Sequence, residues 1–317
     1  MNRFKASLQE AVESLYQSQK RDWPEFFKAV SSLKKVRCRD VKVDRRTVRL
    51  QFNPRRIANA LAPASPAEVA ARPCFLCTEN RPKEQDSFPF EKRWLVVCNP
   101  FPLFERHLVV IDREHTPQSA INGTLGAMVR FTRESGYATL YNGPRSGASA
   151  PDHLHFQALP PGSLPLERQV PVQAAASHDG IFFDPHLPRR IFLAANNIVK
   201  LKDLFSSLIE TWSRINSRNF TIEPDMNLVV LPRDSDSLPL VVVHPRLRHR
   251  PAAYYAPGAD RLLVSPGAAD MAGLVIVPRR EDFDRLDGRL IRGIFEEVCL
   301  ESTTFSSLAT ELENRSG

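Results

Sequence analysis

Tyr141-Asn-Gly-Pro-Arg-Ser-Gly-Ala-Ser-Ala-Pro-Asp-His-Leu-His-Phe-Gln-Ala158 is a loop rich in glycine and serine that runs into three polar residues at alternate positions. Those residues are His153, His155 and Gln157, and single apolar residues separate them. Because side chains on a strand alternate between its two faces, the spacing predicts a strand that carries two imidazoles and an amide on one face. A dry core would leave these groups without partners, so the pattern indicates a functional site.

The loop before this predicted strand indicates what the site binds. Gly143 and Gly147 would let backbone N–H groups approach an anion closely, and Ser146 and Ser149 add small hydroxyl groups. We therefore interpret the segment as a phosphate-binding loop. An imidazole that faces a phosphate can attack phosphorus, because its ordinary pKa of about 6.5 leaves it mostly unprotonated at neutral pH. The expected product is a covalent nucleotidyl-histidine.

The same stretch resembles the active-site signature of the histidine triad superfamily, in the branch of galactose-1-phosphate uridylyltransferase and diadenosine tetraphosphate phosphorylase. The resemblance implies that His155 is the nucleophile, that His153 supports the site, and that Asn142, Ser149 and Gln157 contact the phosphates. The third position of the motif is glutamine in that branch and histidine in the hydrolases. Gln157 therefore favours transfer or phosphorolysis over hydrolysis. The alternative interpretation is a surface strand with two solvated histidines.

Other segments extend the resemblance over much of the chain. They are Gln51-Phe-Asn-Pro-Arg55, Arg72-Pro-Cys-Phe-Leu-Cys77, the Asn99–Pro102 corner and Ser265-Pro-Gly-Ala-Ala-Asp-Met-Ala-Gly273. Together they look like a bacterial family of unknown function that is related to the uridylyltransferases. They add Arg72 and Asn99 to the candidate substrate-binding residues. The resemblance implies an α+β fold, a histidine-triad-like antiparallel sheet with covering helices in two pseudo-repeated halves.

A metal site is a further prediction. Cys74 and Cys77 have the spacing at which a turn brings two thiolates onto one tetrahedral metal, and the other ligands must come from elsewhere. In the zinc-binding uridylyltransferases these ligands are a distant histidine and the first histidine of the catalytic strand. The resemblance thus implies structural Zn²⁺ on Cys74, Cys77, His115 and His153, with His107 a less favoured alternative to His115. The competing interpretation is a pair of ordinary thiols.

Composition sets broad limits. The chain has 317 residues, 42% of them hydrophobic, enough for a sizeable core in one large or two ordinary domains. Its net charge of +7 suits an anionic partner, either a nucleotide or a nucleic acid. Five scattered cysteines indicate a reducing compartment, and residues 1–20 have no signal-peptide core or membrane span. We expect a cytoplasmic protein.

Hydrophobic periodicity and turn residues predict the order of elements. We expect an N-terminal helical segment at residues 1–38, a catalytic half at 39–165, a degenerate second half at 166–302 and a polar, frayed tail at 303–317. Within these segments we expect a hairpin over 41–52. We expect helices over 4–16, 197–213, 281–286 and 290–300, one helix that begins at 24 and one that ends at 128. We expect strands within 94–111 and over 137–141, 181–183, 191–193, 226–231, 238–245, 261–264 and 273–277.

Several charged residues have two open interpretations. If Val243–Pro251 is extended, His244, Arg246, Arg248 and Arg250 share one face, which suits either phosphate recognition or a solvated edge strand.

Arg55, Arg56 and Arg72 are equally ambiguous, although one of them is expected to face a nucleotide. Asp270 could contact a ribose or cap a turn.

The sequence predicts an enzyme, a nucleotidyltransferase or phosphorylase acting on a nucleoside diphosphate sugar or a dinucleoside polyphosphate. Phosphate or a sugar phosphate would accept the nucleotide. The alternative is a non-catalytic protein that senses nucleotides or binds nucleic acid. Of these two roles, nucleic-acid binding is the less expected. We expect no membrane partner, and a homodimer is compatible with the sequence. No motif specifies the base or the sugar.

Overall fold

The computed structural model describes residues 3–62, 65–119, 121–177, 179–215, 223–234 and 237–316. Its α-helices are α1 (Arg3–Asp22), α2 (Pro24–Ser32), α3 (Ile57–Ala60), α4 (Pro66–Ala70), α5 (Ile121–Ser135), α6 (Val172–Ala176), α7 (Ile198–Ile215), α8 (Ala268–Met271), α9 (Arg280–Arg285), α10 (Gly288–Val298) and α11 (Ser302–Ser316). Its strands are β1 (Arg37–Val43), β2 (Arg46–Phe52), β3 (Ser87–Phe90), β4 (Trp94–Cys98), β5 (Leu108–Asp112), β6 (Ala138–Asn142), β7 (His155–Leu159), β8 (Gly180–Asp184), β9 (Arg190–Ala194), β10 (Met226–Leu231), β11 (Leu240–Pro245) and β12 (Leu274–Val277). Among the described residues, no helix is both long enough and apolar enough to cross a bilayer.

The main sheet contains nine strands in the order β3-β4-β5-β7-β6-β10-β11-β9-β8, and all neighbouring strands are antiparallel. β4, β5, α5, β6 and β7 form one half of this sheet. β8, β9, α7, β10 and β11 repeat the same order from the opposite edge, and the halves meet where β6 pairs with β10. The predicted α+β fold with two pseudo-repeated halves is confirmed.

A smaller sheet joins the two ends of the chain. β1 and β2 form the predicted hairpin, and β12 pairs with β2 in parallel, with Leu50 opposite Val275. This long-range parallel pair was not predicted. It holds a C-terminal segment of the chain against the N-terminal hairpin.

The main sheet is covered by helices on one face. On β7, Phe156 packs edge-on against Trp94 and Phe131, with ring centroids 5.4 and 6.0 Å apart. Burying a side chain of this size contributes about 1.5–3 kcal/mol. Because side chains alternate, the neighbours of Phe156 on β7 face the opposite side of the sheet, where the cavity described below opens.

Three features differ from the predictions. Residues 261–264 form no strand, and β3 was not predicted at the sheet edge. The frayed tail was also wrong, because α11 is an ordered helix. Its apolar residues Phe305, Leu308 and Leu312 recur at helical spacing and are buried in the core that includes α7. Apolar residues are few in this segment, so its sequence alone does not indicate a buried helix.

Candidate functional site

His155 is the first residue of β7, and a glutamine holds its backbone. Gln118 is fully buried in the segment before α5. Its Oε1 accepts from the N–H of His155 at 2.9 Å, and its Nε2 donates to the carbonyls of His155 and Asn142 at 3.0 and 2.9 Å. The amide therefore joins the end of β6 to the start of β7 and fixes the position of the imidazole.

The His155 side chain is oriented by a second backbone contact. Its Nδ1 lies 2.8 Å from the carbonyl oxygen of His153, so Nδ1–H donates and Nε2 keeps the lone pair. Burial lowers the pKa of His155 to about 4, which leaves the ring neutral at pH 7. A neutral imidazole with a free Nε2 is the form that can act as a nucleophile.

His153 was predicted to lie on the strand with His155, but it does not. It precedes β7 in a turn in which its N–H donates to the carbonyl of Ala150 at 3.2 Å. Its side chain consequently points away from the cavity that His155 and Gln157 line. His153 Nε2 lies 2.8 Å from the carbonyl oxygen of Asp112, and donation to that oxygen leaves Nδ1 unprotonated.

His153 Nδ1 completes a cluster of four candidate metal ligands. Their donor atoms all lie within 4.8 Å of one another. Cys74 Sγ lies 3.3 Å from His153 Nδ1, and Cys77 Sγ lies 3.2 Å from His115 Nδ1. Ligands of a tetrahedral zinc, with bonds of about 2.0–2.3 Å, are separated by roughly 3.5 Å, so the four residues fit such an ion.

The chemistry of the donors also fits a metal. Burial and the neighbouring Cys74 thiol hold the pKa of Cys77 above its ordinary value in the metal-free protein. A bound cation would reverse this and release the thiol protons. The hydrogen bond from His153 to Asp112 is the second-sphere contact that fixes the tautomer of a metal-bound histidine. His107, the alternative ligand, lies elsewhere.

His107 instead orients Gln157. The N–H of Leu103 donates to His107 Nδ1 at 3.1 Å, so the proton of the neutral ring must be on Nε2. Burial lowers the pKa of His107 to about 3 and keeps it neutral. Nε2–H can then donate to Gln157 Oε1 at 2.8 Å. The NH₂ group of Gln157 is therefore directed away from His107, as a donor at the cavity.

A second amide donor is set by residues from the other half of the sheet. Asn142 Oδ1 accepts from Asn227 Nδ2 at 2.9 Å and from the N–H of Ala268 at 2.7 Å. Asn142 therefore presents its NH₂ group at the cavity. Arg246 in turn donates to Asn227 Oδ1 and to the carbonyl of Pro266. This chain of contacts extends from the buried core of the second half to the candidate site.

Only part of the predicted phosphate loop lines the cavity. Gly143 donates its N–H to the carbonyl of Met226 at 3.0 Å, so this amide is not available to an anion. Ser146 is fully buried and accepts from Asn227 through its carbonyl. Neither residue lines the cavity. Gly147 does, in a conformation with φ +98° that favours glycine, and a Cβ there would lie 2.8 Å from Gly267 Cα.

The cavity beside β7 has two lobes. The large lobe has a volume of about 800 Å³ and includes His155, and the small lobe has a volume of about 80 Å³ and includes Asn142. Both are lined by the same five residues at their junction, Arg56, Asn59, Ala62, Ser149 and Gln157. The nucleophile candidate thus lines the large lobe, Asn142 lines the small lobe, and Gln157 lines both.

The walls of the large lobe are mainly apolar, with aromatic side chains at its mouth. Phe75 and Phe101 are partly exposed there, and Asn99 also lines the lobe. Arg72 pairs with Asp152 at 2.8 Å and lies over the ring of Phe75 at 4.7 Å. A flat apolar group such as a nucleobase suits these walls, since aromatic rings and guanidinium groups both stack on bases.

The basic run divides between the core and the cavity. His244 and Arg246 are buried, which excludes the solvated strand for them, and neither lines the cavity. Arg248 lies 4.0 Å from Glu297 on the surface. Arg250 lines the small lobe, and it donates to Ser265 Oγ at 3.0 Å and to nearby backbone carbonyls.

Three more of the ambiguous residues are placed by the structure. Arg56 lines both lobes and donates to the carbonyl of Phe101, whereas Arg55 lines only the large lobe. Asp270 accepts from the N–H groups of Gly267 and Ile276, both at 2.9 Å, and so caps the start of α8. Burial raises its pKa to about 6. These contacts support the capping interpretation.

Sequence reasoning missed the residues that orient others. No sequence motif marks Gln118, Asn227 or the contact between His107 and Gln157. In each case the two partners lie on segments that are distant in the sequence. The only available signal was their polarity within apolar segments, as in Met226-Asn227-Leu228. Such a buried polar residue requires a partner, but the sequence does not say which.

Comparisons with known proteins agree with this architecture. Residues 15–160 match a family described as a domain of unknown function, DUF4922. No curated protein matches the sequence. The structure is similar to yeast Ap4A phosphorylase Apa2, with 13% identity, a TM-score of 0.58, and coverage of 87% of this chain and 96% of that one.

Two further solved structures are similar. Apa2 in complex with Ap4A has 14% identity and a TM-score of 0.58, over 93% of this chain and 98% of that one. An ADP-glucose phosphorylase from Arabidopsis thaliana with bound ADP-glucose is more distant, with 16% identity and a TM-score of 0.35, over 82% and 98%. The chain therefore has the α+β fold seen in yeast Ap4A phosphorylase Apa2.

Proposed function

We propose that the protein is a nucleotidyltransferase of the phosphorylase type, which moves a nucleotide through a covalent intermediate on His155. The observation that carries the proposal is the state of this imidazole. It is neutral, its Nδ1–H is held by the His153 carbonyl at 2.8 Å, and its Nε2 lone pair belongs to a side chain that lines the cavity.

The reaction has two displacement steps. In the first, His155 Nε2 attacks the α-phosphorus of the substrate, a P–N bond forms, and the bond from phosphorus to the bridging oxygen breaks. The leaving group departs as the rest of the polyphosphate or as a sugar phosphate. In the second, an oxygen of inorganic phosphate attacks the same phosphorus and the P–N bond breaks, which releases a nucleoside diphosphate and restores neutral His155.

The positive charge that develops on the imidazole is stabilised by the His153 carbonyl. Charge on the phosphoryl oxygens would be stabilised by the NH₂ groups of Gln157 and Asn142 and by Arg56. These donors are held by partners before substrate arrives, so little reorganisation is needed. Removing one such donor typically lowers kcat by about 10²–10³-fold.

The two lobes suggest how the substrate lies. The apolar large lobe suits a nucleoside, and the small polar lobe suits phosphate groups. Its volume of about 80 Å³ favours inorganic phosphate over a hexose phosphate as the acceptor. Apa2 has been solved with AMP and with Ap4A, which supports a nucleotide substrate here, either a dinucleoside polyphosphate or a nucleotide sugar.

We also propose that Cys74, Cys77, His115 and His153 hold a structural Zn²⁺. Four protein ligands leave no open position, so the ion would supply rigidity and no step of the reaction. The protein's own contribution is the position of the His153 carbonyl. That carbonyl is held in place by a residue whose side chain is in the cluster, which would couple the metal to the orientation of His155.

The test is turnover by a His155→Ala variant. Purified protein is incubated with Ap4A, ADP-glucose or UDP-glucose, with and without phosphate. We expect phosphate-dependent release of nucleoside diphosphate, lost by at least about 10³-fold in His155→Ala while nucleotide binding remains. His186→Ala, an exposed histidine outside the site, is the matched control.

The intermediate gives an independent readout. Wild-type protein mixed with substrate without phosphate and quenched in base should carry a nucleotide on His155 that acid removes. His155→Gly could be partly rescued by free imidazole. Normal turnover in His155→Ala, or an adduct on His153, would contradict the proposal. Binding without turnover of any substrate would favour the nucleotide-sensing alternative.

A further inference from the structure

A second cluster of buried polar side chains, two arginines and a histidine, lies outside the candidate site, between the second half of the main sheet and the β1–β2–β12 sheet. Arg190 begins β9 and His244 lies on β11, and both are completely buried. Arg46, at the start of β2, is 8% exposed. None of the three lines either lobe of the cavity.

The strand register brings these side chains to one space. Ile191 lies opposite Val243, which places Arg190 beside His244 on the neighbouring strand. Ile191 and Val243 belong to the core under the helices, so Arg190 and His244 face the other side of the sheet. Arg46 reaches the same side from β2, where it pairs with Asp184.

Positive charge exceeds negative charge in this space. Asp184 is directly opposite Arg190 in the β8–β9 register, but its carboxylate pairs with Arg46. Among the described residues no carboxylate lies within ion-pair distance of Arg190. Its guanidinium has only the amide oxygen of Gln169, at 3.3 and 3.4 Å. Burial and the charge of Arg46 lower the pKa of Arg190, but a guanidinium remains charged at neutral pH.

Polar atoms in the cluster also lack partners. In the part of the chain that the structure describes, the Nε atoms of Arg46 and Arg190 and the Nε2 atom of His244 have no hydrogen-bond partner although they are buried. His244 Nδ1 lies 3.3 Å from the Arg189 carbonyl, which can only accept, so Nδ1–H donates and Nε2 carries the lone pair. The unpaired donors are therefore those of the two arginines. Water would satisfy such donors but would not balance the charge, and an uncompensated buried charge is strongly destabilising.

We propose that Arg190, together with Arg46, binds a small monovalent anion such as chloride. A halide accepts several N–H donors from different directions and neutralises the guanidinium of Arg190. The enclosing side chains are at most 8% exposed, which excludes large organic anions. The anion would stabilise the contact between the two sheets and would take no part in the reaction at His155.

The test compares anions at constant ionic strength. Wild-type protein is unfolded thermally in sodium gluconate and with chloride or bromide replacing gluconate from 1 to 100 mM. Since a ligand that binds only the folded state stabilises it, we expect the halides to raise Tm by about 2–4 °C. Arg190→Met, which keeps length without charge, should remove this dependence. Arg280→Met, which removes an exposed arginine paired with Asp284, should retain it.

Crystals of the wild-type protein grown in bromide provide a test that needs no variant. We expect an anomalous peak within hydrogen-bond distance of Arg190 Nε. Two results with the wild-type protein would overturn the site. One is a wild-type Tm that does not distinguish halide from gluconate, and the other is a water at this position in bromide crystals. An unchanged halide dependence in a folded Arg190→Met variant would do the same.

Discussion

The two halves of the main sheet share one topology but use their polar residues differently. In the first half, His155 and Gln157 face a cavity, and their partners leave Nε2 and an NH₂ group free for a ligand. In the second half, Asn227 and His244 face the same side of the sheet but are completely buried. The cavity-facing polar groups thus belong to the first half, and those of the second half are buried behind them.

The contact between Asn142 and Asn227 shows how that support works. These residues lie opposite each other where β6 meets β10, so the side chain of one half orients the side chain of the other. A half that has lost its own reactive histidine can therefore remain necessary for activity. The lesson is that a degenerate repeat can be retained for orientation, and the following experiments test this, from the largest expected effect to the smallest.

Matched core truncations test whether the halves are one folding unit. Phe131 on α5 and Phe205 on α7 are both buried in the same core. Phe131→Ala and Phe205→Ala should each lower the free energy of unfolding by about 3–5 kcal/mol, because each leaves a cavity. Chemical denaturation should give a single transition in both variants. A separate early transition in Phe205→Ala alone would mean that the second half unfolds independently.

Removing the metal should act on the first half alone. Elemental analysis should find about one zinc per chain, and the Cys74→Ser/Cys77→Ser variant should lose it together with about 3 kcal/mol of stability. The exposed Cys38→Ser variant is the control and should keep the metal. Metal-free wild-type protein of unchanged stability would contradict the zinc assignment.

Asn227→Asp removes the side-chain donor that orients Asn142, and it leaves the shape of the side chain nearly unchanged. An aspartate offers only acceptors, so Asn142 would turn its NH₂ group towards residue 227 and lose a donor at the cavity. We expect kcat/KM to fall by about 10–100-fold. Tm should also fall, because the buried Ser146 carbonyl loses the donor that Asn227 provides. Asn196→Asp, on the surface, is the control. Full activity in a folded Asn227→Asp variant would show that the second half does not orient the site.

Glu223 should give the smallest effect, a change in pH dependence. Burial raises its pKa to about 7, and its Oε1 lies 2.7 Å from the hydroxyl of Tyr141, which also contacts the Gln118 carbonyl. The folded state therefore binds a proton that the unfolded state releases near pH 4.5. This contribution to stability is present below pH 4.5 and is lost as pH rises through 7. Glu223→Gln should thus be more stable than wild type at pH 8, by about 1 kcal/mol.

The measurement is the difference in Tm between wild type and Glu223→Gln at pH 5, 7 and 8. The difference should grow with pH, since only the wild type carries the buried carboxylate. A difference that is the same at all three values would show that Glu223 is ionised in the folded protein throughout this range.

The sequence predicted the parts of the fold and site that depend on local pattern. The β1–β2 hairpin, β4, β5, α7 and β10 follow from periodicity, and the alternation of His155 and Gln157 predicted their shared face. The convergence of Cys74, Cys77 and His115 on His153 followed from family resemblance. The strand assignment of His153 failed because the turn at Ala150 ends the alternation before β7 begins.

What could not be predicted depends on pairing between distant segments. The position of Asn227 opposite Asn142 is set by the register of two strands from different halves. Arg246 can be buried because it donates to the carbonyls of residues 248, 249, 266 and 298. The sequence around these residues does not show that their carbonyls accept from a buried arginine. Backbone acceptors have no sequence signature, so a buried arginine that binds them looks like a surface one.

The close approach of Gly147 to Gly267 has a consequence for biosynthesis. The loop after β6 packs on the backbone near α8, and Ala268 supplies one of the two hydrogen bonds that orient Asn142. During translation, at about 5–20 residues per second, these C-terminal residues leave the ribosome several seconds after His155. A nascent or prematurely terminated chain thus contains His155 without the N–H group of Ala268 that orients Asn142. Under the proposed mechanism, catalytic competence would be acquired only near the end of synthesis.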